Sequence, residues 1–283
     1  MSDAACLSEP AASPHQRARG DLAVAFKQRD GETVLDTLRQ FGCMKARFPR
    51  PERGAWRSAV TLNTAGGIAG GDRTDCAIAV GVGTRATVAS QAAERCYRAL
   101  PGSPDARARV RLRVEAGAAL EWLPQETILF DACALDRRTE IALAADAWFL
   151  GVEMVVFGRA AMGERVVHGR FRDTVAIRRA GDLLLHDAIR MPDVIGSALA
   201  RGAVAAGGAA VGTIWHAAPD AARMLEPVRD ALAGAPCACG ASAWDGLLVV
   251  RFVAENGALL RAGVVAGLAA LRDGRPPPRV WLC

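Results

Sequence analysis

Residues 109–115 read RVRLRVE, so Val110, Leu112 and Val114 alternate with Arg109, Arg111 and Arg113, and Glu115 closes the run. Strict alternation sends successive side chains to opposite faces of an extended chain, leaving one face to bury and one to wet. Runs in the same style recur: LAVAF (22–26), CAIAV (76–80), TEIAL (139–143), VEMVVF (152–157), ERVVHGRF (164–171), DTVAIRR (173–179) and GLLVVRFVAE (246–255). Glycine or proline separates them, and strands this short and this often interrupted favour a β-rich domain over βαβ repeats. The chain has 283 residues, 51% of them hydrophobic, enough for one sizeable core.

Helical spacing comes late. PDAARMLEPVRDALAG (219–234) places Leu225, Val228 and Leu232 on one face, with Asp220 as the expected N-cap and Gly234 as the expected stop. Pro227 argues against an uninterrupted helix there, because it lacks an amide donor. GALLRAGVVAGLAALRDG (257–274) spaces Leu260, Val264, Leu268 and Leu271 at helical intervals up to Gly274, and the prolines of PPPRVW (276–281) predict an extended tail. Residues 1–20, rich in Ala, Ser, Pro and charge, read as a disordered leader without the apolar stretch of a signal peptide, ahead of a single domain over 21–283.

The formal charge of +5 comes almost entirely from arginine, lysine being confined to Lys27 and Lys45. Acidic and basic residues are interspersed, with no basic run and no aromatic–basic platform, which argues against a nucleic-acid partner. The longest apolar stretch, Gly202 to Trp215, is shorter than the roughly 20 residues that span a bilayer. Eight scattered cysteines without a CxxC pair are expected to be reduced thiols of a cytoplasmic protein.

Two glycine segments invite a nucleotide reading. GGIAGGDR (66–73) lacks the Lys-Ser or Lys-Thr pair of a P-loop. GVGTRA (81–86) fits a dinucleotide fingerprint in letters, and a cofactor-dependent enzyme is the alternative it offers. That fingerprint must open a helix, however, whereas TRATVASQA favours a strand entered through a turn that sends the chain back antiparallel. Cys237 and Cys239 lack further ligands nearby in sequence, and His15, His168, His186 and His216 form no metal-binding spacing. His186 and Asp187, the one histidine–acid neighbour pair, would face opposite ways on a strand. No nucleophile sits in an activating motif, so no catalytic machinery stands out from the residues by themselves, although a catalytic group can be assembled from distant segments.

Four stretches taken together, LNTAGGIAGGDR (62–73), SQAAERCYRA (90–99), LEWLPQETILFDAC (120–133) and GRAAMGERVVHGRF (158–171), with PPRVW (277–281), resemble the urease accessory protein D family, called H in some bacteria. The residues carrying the resemblance include Gly66, Gly67, Gly70, Gly71, Gln91, Tyr97, Arg98, Pro124, Gln125, Gly158, Arg159 and Gly163. Asn63-Thr64-Ala65 stands where the family pattern has His-Pro-Pro. The resemblance implies a mainly β fold, a β-helix-like body of many short strands with two α-helices in the C-terminal third. It implies a non-catalytic scaffold that links apo-urease to accessory protein F and the accessory GTPase G, and passes nickel(II) through a water-filled tunnel without binding a cofactor tightly.

A conduit needs ligands weak enough to release the ion, so spaced carboxylates suit it better than nitrogen and sulfur donors. The candidates are Asp72, Glu126, Asp131, Glu153, Glu164 and Asp187, of which Asp72, Glu153 and Asp187 match family positions for acids facing the tunnel. Glu153 interrupts the apolar run FLGVEMVVF, where an unpaired carboxylate would be costly. Asp72 is expected to be presented by a glycine turn. Glu126, Asp131 and Glu164 have ordinary ion pairs open to them with Arg95, Arg98, Arg159 or Arg165.

Overall fold

The computed structural model describes residues 16–50 and 55–282. In chain order its strands are β1 (Arg19–Arg29), β2 (Glu32–Gly42), β3 (Met44–Arg47), β4 (Arg57–Asn63), β5 (Arg73–Val80), β6 (Arg85–Ser90), β7 (Glu94–Cys96), β8 (Ala106–Val114) and β9 (Ala119–Leu123). Then follow β10 (Thr127–Leu129), β11 (Cys133–Leu143), β12 (Trp148–Phe157), β13 (Gly169–Arg179), β14 (Asp182–Met191), β15 (Ala210–Ala217), β16 (Ala238–Trp244) and β17 (Leu247–Ala254). Among the described residues there are three α-helices: α1 (Ile195–Ala200), α2 (Leu225–Leu232) and α3 (Gly257–Leu271).

The fold is mainly β, as the alternation predicts. One sheet has seven strands in the order β14-β13-β11-β8-β5-β1-β2, and the other has ten, with β16-β17-β15-β12-β9-β6-β4-β3 as its path and β10 and β7 beside it. Between β4 and β13 the chain passes repeatedly from one sheet to the other, so β5, β8, β11 and β13 pair in parallel in the first sheet while β4, β6, β9 and β12 do so in the second. This is a coiled, β-helix-like body whose antiparallel strands lie at its ends.

Burial follows the alternation. On β8, Leu112 and Val114 are buried while Arg111 and Arg113 are exposed. The inner faces meet around Val24, Ile78, Leu112, Leu120, Phe149 and Ile177. A second core lies between the ten-stranded sheet and α2 and α3, built on Leu150, Phe252, Leu260, Val264 and Leu268. Strand β12 is therefore covered on both faces, which explains the unbroken apolar run around Glu153.

Several sequence expectations change. GVGTRA opens β6, not a helix, so no amide-lined phosphate site forms there. The turn does not return the chain beside β5 either: β6 joins the opposite sheet and pairs with β4 and β9. In ERVVHGRF only Gly169 onward is strand. The 219–234 segment is a 3₁₀ turn over Ala221–Met224 followed by α2, with Pro227 in the first turn of α2, where a missing amide costs no helix bond. Asp220 makes no side-chain cap, and Gly234 lies beyond a helix that ends at Leu232. Helix α3 stops at Leu271, capped at its start by Asn256, whose side chain accepts from the Leu259 amide. The tail is extended through its prolines and then turns as a 3₁₀ helix over Arg279–Trp281. Helix α1 raises the count of helices from two to three; at six residues it is too short for periodicity to reveal. Most of the leader, residues 1–15, lies outside the described residues, while Arg19 and Gly20 already belong to β1.

Candidate functional site

Inside the body, neighbouring strands bring three charged side chains together. Arg137 on β11 points inward and donates from Nη2 to Glu153 Oε2 on β12 at 2.9 Å. The same guanidinium holds Asp173 on β13, Nε to Oδ1 at 3.0 Å and Nη2 to Oδ2 at 2.5 Å, a bidentate grip. Nη1 donates to Thr127 Oγ1 at 2.9 Å, and Thr139 Oγ1 donates to Glu153 Oε1 at 3.0 Å. Glu153 and Asp173 are 8% and 5% exposed, so the group is nearly dry. Asp187 on β14 lies further out, paired with Arg251 Nη1 on β17 at 2.6 Å, and Arg251 also donates to Thr213 Oγ1 at 3.2 Å.

Glu153, Asp173, Asp187, Thr213 and Arg251 line one cavity of about 470 Å³ between the sheets, its remaining wall largely apolar with Val155, Ile189, Val211 and Trp215. The carboxylates thus run from a partly open mouth at Asp187 and Arg251 to a closed interior at Glu153 and Asp173. Burial drives the Glu153 carboxyl up to about 8 even though Arg137 opposes the rise, and the neighbouring Asp173 adds to it. At neutral pH the Glu153 carboxyl therefore largely keeps its proton. Burial by itself would weaken the Arg137 guanidinium, but Asp173 and Glu153 overcome that and hold it above its ordinary value.

The cavity brings together two of the six candidate acids, Glu153 and Asp187, and adds Asp173, which sequence reading missed. The sequence did carry a signal for it, since Asp173 sits at an inward position in the alternation of β13, between Phe171 and Val175. Arg137 likewise breaks the apolar phase of β11, inward between Leu135 and Thr139.

The other four acids are elsewhere. Asp72 is not presented by its turn: its oxygens accept from the Ala18 and Ala69 amides, both at 2.8 Å, and pin the glycine loop to the start of β1. Glu126 pairs with Arg261 on α3 at 2.7 Å, a partner that lies far away in sequence. Asp131 accepts from the Val167 and His168 amides and pairs with Arg98 at 3.5 Å; burial opposes, but these contacts hold its carboxyl below the ordinary range. Glu164 pairs with Arg159 at 2.6 Å.

The glycine segment is a turn that admits an aromatic ring. Gly67 has a φ of +148°, and a Cβ there would lie 2.4 Å from the Tyr97 ring. Tyr97 donates to Gly66 O at 2.9 Å and stands edge-on to Phe130, over which Arg159 lies at 4.1 Å. Gln125 donates to Gln91 O and Val280 O, both at 2.9 Å, following Pro124 into the C-terminal tail. The stretches from Gly66 to Gly163 that are far apart in sequence thereby form one connected set of contacts. Cys237 and Cys239 are free, and no group of three metal-ligating side chains of the His, Cys, Asp and Glu types occurs among the described residues.

Residues 18–282 match the family described as UreD urease accessory protein. The chain belongs to that family. It is 45% identical over 276 residues to the urease accessory protein UreD of Rhodopseudomonas palustris strain BisA53, covering 98% of this chain and 94% of that one. It is 46% identical over 266 residues to the protein of the same name from Bradyrhizobium diazoefficiens, covering 94% of each chain. A third UreD, from Rhizobium leguminosarum bv. trifolii, is 45% identical over 266 residues, 94% of this chain and 96% of that one. Among the described residues, no helix is long and apolar enough to cross a membrane.

Proposed function

We propose that this chain is a non-catalytic scaffold of urease maturation in the cytoplasm. It links apo-urease to accessory protein F and, through it, to the accessory GTPase G, and it conducts nickel(II) through its own interior. The observation that carries the nickel step is the line of three carboxylates from the mouth at Asp187 to the buried pair Glu153 and Asp173, inside an otherwise apolar body. Oxygen donors hold nickel more loosely than thiolates or imidazoles, so they suit cargo that must leave. Arg137 and Arg251 neutralise the acids while no cation is present, which avoids the large cost of unpaired buried charge. An arriving dication competes with a guanidinium already in place, and this keeps the site from becoming a trap. The chain needs no nucleotide of its own; GTP belongs to its partner.

The test is nickel-dependent activation of cognate apo-urease by accessory proteins F and G with GTP, with and without this chain. Activation only in its presence supports the maturation role; equal activation without it overturns that role. Combining Glu153→Gln with Asp187→Asn then separates conduction from assembly. Activation should fall about tenfold or more while the complex still forms at its normal yield. An undiminished rate in the double variant would leave the chain as an interaction module, with nickel taking another route.

A further inference from the structure

The outward face of the seven-stranded sheet carries a row of like charges. Strand register places Arg19 beside Arg73, Arg73 beside Arg107, Arg107 beside Asp136, Asp136 beside Arg172 and Arg172 beside Arg190. All five arginines are exposed, and among the described residues none has a carboxylate within ion-pairing distance. The acid within the row does not neutralise it, because Asp136 pairs with Arg109 in the next row at 3.0 Å. Asp75 is likewise taken by Arg111 at 3.1 Å. Like charges directly opposite each other on neighbouring strands destabilise a sheet. Here the contact occurs three times in one row that spans five strand spacings, about 24 Å.

Beside the row the face changes character. Ala23, Ala25, Ala77, Ala79, Ala142 and Ala176 form the floor of a shallow groove of about 780 Å³. Helices α2 and α3 pack on the other sheet, and of the arginine row only Arg190, on the edge strand β14, also borders the carboxylate cavity. We infer that this face docks an acidic, amphipathic polypeptide segment of a partner protein, whose carboxylates meet the arginine row and whose apolar side lies on the alanine floor. Charge complementarity sets the sign of the occupant, and the alanine floor distinguishes a polypeptide from a sugar–phosphate backbone. Phe41 and His186 are the aromatic rings among the described outward-facing residues of these strands, and they lie on β2 and β14, at opposite edges of the sheet, so they form no continuous platform on which successive bases could stack. The inference does not rest on the nickel path, which uses the inner face.

The test compares the full chain with R73E/R190E. Those two substitutions replace each arginine–arginine contact of the row with an opposite-charge pair, so repulsion within the sheet falls. Anisotropy titrations use three labelled probes: a synthetic helix with glutamates on one side and leucines and alanines on the other, a scrambled peptide of the same composition, and a DNA duplex. The amphipathic peptide should bind about tenfold tighter than the scrambled one, with marked weakening by salt. The variant should lose about tenfold in affinity for it while its melting temperature holds or rises. Should R73E/R190E fold poorly, R73Q/R190Q makes the same comparison without new charge. Equal binding of both peptides, tighter binding of DNA, or unchanged affinity in the variant would each overturn the inference.

Discussion

Glu153 decides the chemistry of the interior at the scale of single residues. Its carboxyl moves from 4.5 to about 8 because burial disfavours its charge and Asp173 stands beside it, despite Arg137. The raised value fixes the sign of a pH dependence. Between roughly 4.5 and 8 the folded chain holds a proton that the unfolded chain has lost, so stability is fully present below that window and declines as pH rises through it. The slope for one proton approaches about 1.4 kcal/mol per pH unit. Chemical denaturation between pH 5 and 8 should therefore show the wild type losing stability with rising pH relative to Glu153→Gln, whatever the buried His216 contributes equally to both. An identical slope in the variant would mean that Glu153 ionises normally. That this glutamate needed a partner was legible in the sequence, because it interrupts an apolar run. Which partner it had was not, since Arg137 sits on another strand and is one arginine among many.

Among the elements, the C-terminal tail is held more firmly than its prolines suggest. Glu121 on β9 is fully buried and accepts from Arg272 at 2.9 and 2.8 Å and from Arg275 at 3.0 Å, with Thr87 as a third partner. Burial pushes its carboxyl upward, but Arg272 outweighs that and leaves it below its ordinary value. Arg272 also donates to the Pro276 carbonyl, fixing the chain as it leaves α3. Trp281 then closes the strap, 5% exposed, donating from Nε1 to Leu123 O at 3.0 Å beneath Arg261. Trp281→Ala should cost about 3–5 kcal/mol, from the lost buried ring and the orphaned carbonyl. Equilibrium urea unfolding would measure it, and a loss under about 1 kcal/mol would show the strap to be passive. Period 3.6 revealed α3 from the sequence, yet it could not show that the tail beyond α3 returns to β9, because that contact joins residues far apart in the chain.

For the whole molecule, the coil of alternating sheets makes nearly every strand pairing long-range. Arg73 pairs with Arg107 and Leu135 with Ala106, so the parallel ladders close loops of about thirty residues at each step. Topologies dominated by such contacts fold in milliseconds to seconds, far slower than helical bundles of similar stability. Stopped-flow refolding monitored by tryptophan fluorescence should show its main phase in that range or slower. A microsecond main phase would contradict the parallel coil.

The sequence by itself determined which residues face inward and which face water. That follows from a side-chain period of two, which each strand carries without reference to its neighbours. It also placed α3 and picked out Glu153 as a charge in an apolar run. Only the tertiary structure decided what lies beside what. Register between strands turned Arg137, Glu153 and Asp173 into one buried cluster and aligned five scattered arginines into a single row, while packing tied Asp72 to the Ala18 amide away from the cavity. A one-residue slip of any parallel pairing would send those side chains to the opposite face, so the placement depends on packing between segments that the linear order does not specify.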